Sequence, residues 1–157
     1  MVGKIDARLA ELGISIPVPP IPVASYLPYV VTGNLVVVAG QVTLEEGKVK
    51  YAGRFGESIS IEDGEAATRL CALNVLSQVK AACGGDLDRV KQVVRLNAFF
   101  NATADFLDHP RVMNAASDMM AEIFGDAGKH TRVGVGVTSL PLGVPVELDG
   151  IFEIEPA

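Results

Sequence analysis

From Gly13 to Leu44 the chain carries no Asp, Glu, Lys or Arg. A run of that length can span a bilayer. It also holds Pro17, Pro19, Pro20, Pro22 and Pro28, with Gly33 and Gly40. Each proline removes a backbone donor and breaks the helical hydrogen-bond ladder, and lipid offers no water to repair it. The segment is therefore read as extended chain leading into strands, not as a membrane span.

That reading leaves an apolar surplus to place. Of 157 residues, 49% are apolar and 20% charged. Disorder is excluded, because disordered chains are poor in apolar residues. A chain this long folds as one domain, 1–157, and can bury a core without disulfides or metal. With the membrane rejected, an oligomer is the remaining place to hide apolar surface. The net charge of -6 opposes phosphate neutralisation, so nucleic acid is an unfavourable partner. The N-terminus, MVGKIDARLAELG, has no apolar signal core, and a cytoplasmic location is expected. Cys71 and Cys83 form no CxxC pattern and read as buried thiols in a reducing compartment. His109 and His130 are the only histidines, and no acidic loop has cation-ligand spacing. Neither a metal nor a cofactor is expected.

Residues 1–23 read as a short helix, Lys4 to Leu12, stopped by Gly13, followed by the proline lead-in. Tyr29–Thr32 and Leu35–Gln41 read as strands across a Gly33-Asn34 turn, and Lys48–Tyr51 as a third strand. Ser60 to Cys83 is the clearest helix. Ser60 and Asp63 resemble a capping box, and Ala66, Leu70, Leu73, Leu76 and Val79 form its apolar stripe. Val90–Asn101 is a strand with Val94, Leu96, Ala98 and Phe100 on one face. A second helix runs from near Pro110 to Phe124, with Val112, Met119 and Ile123 inward. Thr131–Val137 and Val146–Ile154 close the chain as a strand pair. The predicted architecture is two-layer α/β (α+β): a mixed β-sheet with both long helices on one face.

Alternation in the last two strands assigns faces. If Val133, Val135 and Val137 meet the helices, then Arg132, Gly134 and Gly136 emerge on the bare face, together with Glu147. Glycine in a strand marks close approach by a ligand or a backbone. The rigid fork of Arg suits a carboxylate or phosphate. Two readings stand: an anion site with a nearby acid, or an Arg–acid pair on an exposed or interface strand.

The block His130 to Asp149, HTRVGVGVTSLPLGVPVELD, resembles the signature of the Rid/YjgF family. These are the reactive-intermediate deaminases, also named L-PSP endoribonucleases. Matching elements include Arg132, the alternating valines, Leu140-Pro141 and Val146-Glu147, with Gly33-Asn34-Leu35, Gly40-Gln41 and Asn114 upstream. Phe124-Gly125, Gly128 and His130 resemble the branch with a longer N-terminus. The resemblance covers about Tyr26 to Glu153. It implies a chorismate-mutase-like fold and a homotrimer with ligand clefts between subunits. It also implies hydrolysis of 2-aminoacrylate-like enamines and imines to 2-keto acids and ammonia.

In that picture Arg132 holds the carboxylate of an imino or keto acid and Glu147 orients or activates water. Tyr26, Gly40, Gly134 and Asn114 complete the substrate-binding set. Tyr26 equally fits simple packing at the lead-in. His130 reads as an exposed connector between helix and strand, with positioning of the loop or lining of the cleft as the alternative. Two positions depart from the deaminase pattern. Gly134 stands where active members commonly have Cys, and Ala39 where they have Ser or Thr. Three functions follow: a deaminase, a non-catalytic binder of small carboxylates, and, least favoured by the acidic charge, a ribonuclease.

Overall fold

Ser60 opens the longest helix as expected, its hydroxyl accepting the Asp63 N–H at 3.1 Å. In the computed structural model, which describes residues 1–22 and 24–157, this helix is Ile61–Ala82. Val23, where the lead-in ends, lies outside the described residues. In chain order the elements are α1 (Lys4–Leu12), β1 (Tyr29–Thr32), β2 (Leu35–Gln41), β3 (Leu44–Glu45), β4 (Lys48–Val49), α2 (Ile61–Ala82), β5 (Val90–Asn101), α3 (His109–Phe124), β6 (Thr131–Val137) and β7 (Val146–Ile154). Gly13 ends α1 in the left-handed region, with φ of 66°. The Asp88 carboxylate accepts the first two α1 donors, Lys4 N–H and Ile5 N–H, at 2.8 and 2.7 Å. The lead-in is fastened to α2 where Gln78 Nε2 donates to the Pro20 carbonyl.

The main sheet has the order β1-β2-β7-β5-β6, with β5 and β6 parallel and the other neighbours antiparallel. Both long helices cover one face, and the core lies between the layers, around Phe55, Val75, Leu76, Leu96, Phe100, Met119 and Phe152. The mixed-sheet, two-layer fold is thus as the patterns predicted.

Four details differ. Residues Lys48–Val49 pair with Leu44–Glu45 in a separate ribbon, because Glu46 and Gly47 turn the chain back at φ of 51° and 77°. The last two strands are not a hairpin: β5 lies between them. A bulge between Val93 and Arg95 moves Val93 inward and leaves Val94 half-buried. On α2, Ala67, Cys71 and Val75 are fully buried, while Ala66 and Leu73 are only half so.

The face assignment of β6 is inverted. Val133 and Val135 remain 39% and 43% exposed on the bare side. Gly134 and Gly136 face α3. A Cβ on Gly134 would lie 2.8 Å from Met113 Sδ, and one on Gly136 would lie 2.8 Å from His109 Nε2. The glycines therefore admit the helix. Alternation fixes which residues share a face but not which face is covered.

Candidate functional site

Reversing β6 moves Arg132 to the helix side of an edge strand. There α3 presents three acceptors at helical spacing, positions 110, 114 and 117. Arg132 Nη1 donates to Asn114 Oδ1 at 2.8 Å and to Ser117 Oγ at 3.1 Å, and Nη2 donates to the Pro110 carbonyl at 3.3 Å. All three partners are uncharged. Among the described residues Arg132 has no carboxylate partner within ion-pair distance. The Arg–acid pair is thus not formed within one chain.

His130 is not an exposed connector. Its ring is partly buried, with Nδ1 2.6 Å from the Gly128 carbonyl and Nε2 2.9 Å from Ser117 Oγ.

The second group of expected residues forms a pocket on the other side of the sheet. Tyr26, Ala39, Gly40, Pro141, Leu142 and Glu147 line a cavity of about 490 Å³. A bulge in β2 shapes it. Val38 pairs with Gly150 and Gln41 with Leu148, so Ala39 and Gly40 together stand opposite Asp149. Such a bulge re-aims backbone next to a site. Here it brings Gly40 under the Glu147 carboxylate, where a Cβ would come within 2.6 Å of Oε1. Glycine at 40 is a requirement of that contact. Tyr26 is 47% exposed at the rim.

Burial pushes the Glu147 carboxyl above its ordinary value, and the nearby Asp149 pushes it further. Asp149 is itself raised by burial, while the Asn97 amide at 2.6 Å and Arg95 oppose that shift. Among the described residues, no hydrogen bond ties down the Glu147 side chain. A half-buried carboxyl raised above its ordinary value holds a proton more readily than a free glutamate and is placed to exchange it.

Tyr26, Gly40 and Glu147 come together, and so do Arg132 and Asn114, with Gly134 two residues on under Met113. The two groups do not meet. Arg132 is in register with Leu96 and Glu147 with Phe99, on strands to either side of β5 and on opposite faces. Placing Arg132 and Glu147 on one bare face was therefore an error. Ser117 is a further residue of this group, half-buried one turn beyond Asn114 at the border of the apolar stripe of the same helix, and its only sequence signal is that spacing.

Cys71 is fully buried, and desolvation pushes its thiol far up, so it is not a nucleophile. Among the described residues no three His, Cys, Asp or Glu are placed to hold a metal ion, and no helix is long and apolar enough to cross a membrane.

Residues 6–148 match the family described as "YjgF/chorismate_mutase-like, putative endoribonuclease". Protein TCP17 of Trypanosoma cruzi is 42% identical over 153 residues, covering 97% of this chain and 95% of that protein. The crystal structure of protein Atu1372 from Agrobacterium tumefaciens superposes with a TM-score of 0.89 at 40% identity, over 96% of this chain and 92% of that one. A crystal structure described as that of a putative endoribonuclease from Shewanella oneidensis gives a TM-score of 0.91 at 33% identity, over 96% and 99%. The chain belongs to the YjgF, or Rid, family and has its chorismate-mutase-like fold.

Proposed function

We propose that this protein hydrolyses small 2-imino acids to 2-keto acids and ammonia, at a site completed by a second copy of the chain. One observation supports this above the others. Arg132 is buttressed by three neutral acceptors and, among the described residues, has no acid beside it. A guanidinium so held is prepared for an anion supplied from outside the chain. A carboxylate fits its fork.

The second copy follows from two features. Arg132 sits on β6, an edge strand, and cannot reach Glu147 of its own chain. The bare face exposes Val30, Val37, Val133 and Val135, each between 39% and 49%. Covering them places the apolar surplus noted in the sequence. A closed ring of three copies, as the resemblance implies, sets the β6 edge of one against the Tyr26–Glu147 pocket of the next.

The chemistry asks little more. An imine carbon is already electrophilic. Arg132 fixes the carboxylate, and water adds to the carbon between carboxylate and nitrogen. Glu147 takes a proton from that water and returns it to nitrogen, which gives a carbinolamine. It then takes the hydroxyl proton and delivers it to the amino nitrogen as the carbonyl forms and the carbon–nitrogen bond breaks, leaving a keto acid and ammonia.

A second reading has specific support. Position 134 offers no thiol, and the space for one is filled by Met113 and Phe100. Ala39 offers no hydroxyl at the pocket. Both features favour binding without turnover. Ribonuclease action has less: His109 packs on Phe100 and Phe106, and His130 is engaged by Gly128 and Ser117. The deciding assay generates imines with a pyridoxal-phosphate dehydratase and follows ammonia and keto acid release. Faster release, abolished by Arg132→Ala, is the expected result. Thermal stabilisation by keto acids without faster release establishes the binder instead.

A further inference from the structure

A chain of hydrogen bonds runs from Gly128 through His130 and Ser117 to the Arg132 guanidinium, and with the His130 ring neutral its direction is set. The Gly128 carbonyl can only accept, so His130 Nδ1, 2.6 Å away, bears the hydrogen. In the neutral ring Nε2 then offers a lone pair. It accepts the Ser117 hydroxyl hydrogen over 2.9 Å. That leaves the Ser117 oxygen lone pairs turned toward Arg132 Nη1, at 3.1 Å. Asn114 takes the other Nη1 hydrogen and the Pro110 carbonyl one from Nη2. Among the described residues, the Nε–H and one Nη2–H of Arg132 stay uncommitted.

We propose that Ser117 is a positioning residue, oriented by His130, that fixes which edge of the Arg132 guanidinium is offered to a ligand carboxylate. The proposal rests on the reading of Arg132 as the carboxylate anchor. Ser117 touches no ligand in this account and acts through Arg132. Without its oxygen, Nη1 has one fixed acceptor instead of two, and the fork regains freedom that binding must remove. His130 keeps the hydroxyl hydrogen out of the space between Ser117 and Arg132. If that hydrogen pointed at Nη1, donor would face donor.

The test uses the full-length protein and 2-oxobutanoate as probe, with titration calorimetry for affinity and imine turnover for kinetics. Ser117→Ala should weaken 2-oxobutanoate binding roughly tenfold, the scale of a lost hydrogen bond to a charged group. It should raise KM by a similar factor and leave kcat nearly unchanged, because the carboxylate is held equally before and during reaction. Ser117→Thr, which restores the hydroxyl, should recover most of the affinity. The double variant Ser117→Ala/His130→Ala should bind about as weakly as Ser117→Ala alone, since His130 acts through Ser117. Wild-type affinity in Ser117→Ala overturns the proposal. So does an effect of His130→Ala that multiplies in full onto that of Ser117→Ala. Arg132→Ala separates the two levels: if it binds 2-oxobutanoate like the wild type, the carboxylate reading itself fails. If it loses binding while Ser117→Ala does not, only the positioning role fails.

Discussion

Arg132 and Glu147 are both polar groups on β-strands of one sheet, and the fold treats them in opposite ways. Arg132 is tied by three hydrogen bonds to α3 and faces the helix layer. Glu147 stands on the uncovered face, over a glycine, and burial alone shifts its carboxyl upward before Asp149 adds to it. In the proposed reaction the difference matches two tasks. A group that holds a ligand gains from being fixed beforehand. A group that passes protons needs a tuned pKa and freedom to exchange partners.

The contrast is broken most strongly by removing each group in turn. Arg132→Ala should cost about 100-fold or more in 2-oxobutanoate affinity, the scale of losing one partner of a desolvated charge pair. Glu147→Gln should retain that affinity and lose about 10²–10⁴-fold in turnover. Calorimetry and imine kinetics on the two variants check this, and equal loss of affinity in both would erase the distinction.

Gly40→Ala sharpens it. The added methyl would sit within 2.6 Å of Glu147 Oε1 and must move the carboxylate. Turnover should fall by about a factor of ten from misplacement of the reacting group, with binding little changed. A normal rate in this variant would show that the Glu147 position is not critical.

The raised carboxyl of Glu147 has consequences in pH. If Glu147 is the base, activity falls as pH drops through a value above that of an ordinary glutamate, and the pH–rate profile locates it. For stability the sign is opposite to that of a salt-bridged acid. The folded state binds the proton more tightly than the unfolded state does, so stability falls as pH rises from the ordinary carboxylate value through the raised one. Glu147→Gln should therefore raise Tm at neutral pH, and the gap should close in acid below the ordinary value. Thermal unfolding at the two pH values reads this, and a gap independent of pH contradicts it.

The smallest effect lies far from both groups. Ser60→Ala removes the α2 cap and should cost about 1 kcal/mol of stability without touching affinity or rate. A change in 2-oxobutanoate affinity there would mean that the anchor depends on the fold more broadly than described.

Much of the fold was legible because its signals are local. Helix α1, with its Gly13 stop, and strands β1, β2, β5, β6 and β7 lie where apolar period and turn residues placed them. The Ser60 cap was visible as an acid three residues on, at Asp63. Strand order was not, because β5 slips between β6 and β7 through long connections that alternation does not encode. The face of β6 is hidden for a related reason. Valine reads as core and glycine as surface, yet glycine lets α3 approach and valine lies on the bare side. Tyr26, Gly40 and Glu147, grouped by the resemblance, line one cavity, while Arg132 and Gly134 of the same expected set lie on the other face. The bonds from Arg132 to Ser117 and from Ser117 to His130 join a strand, a helix and a connector, and contacts between elements have no sequence period.

In the proposed reaction Arg132 and Glu147 work together only across two copies of the chain. Mixing Arg132→Ala protein with Glu147→Gln protein, under conditions that exchange subunits, tests it most directly. Each variant alone should have little or no activity. In a random equal mixture, about one site in four joins an intact Arg132 from one copy to an intact Glu147 from another, whatever closed symmetry the ring has. Imine hydrolysis should recover to about a quarter of the wild-type rate. A mixture as inactive as its components, with subunit exchange confirmed, would contradict the account.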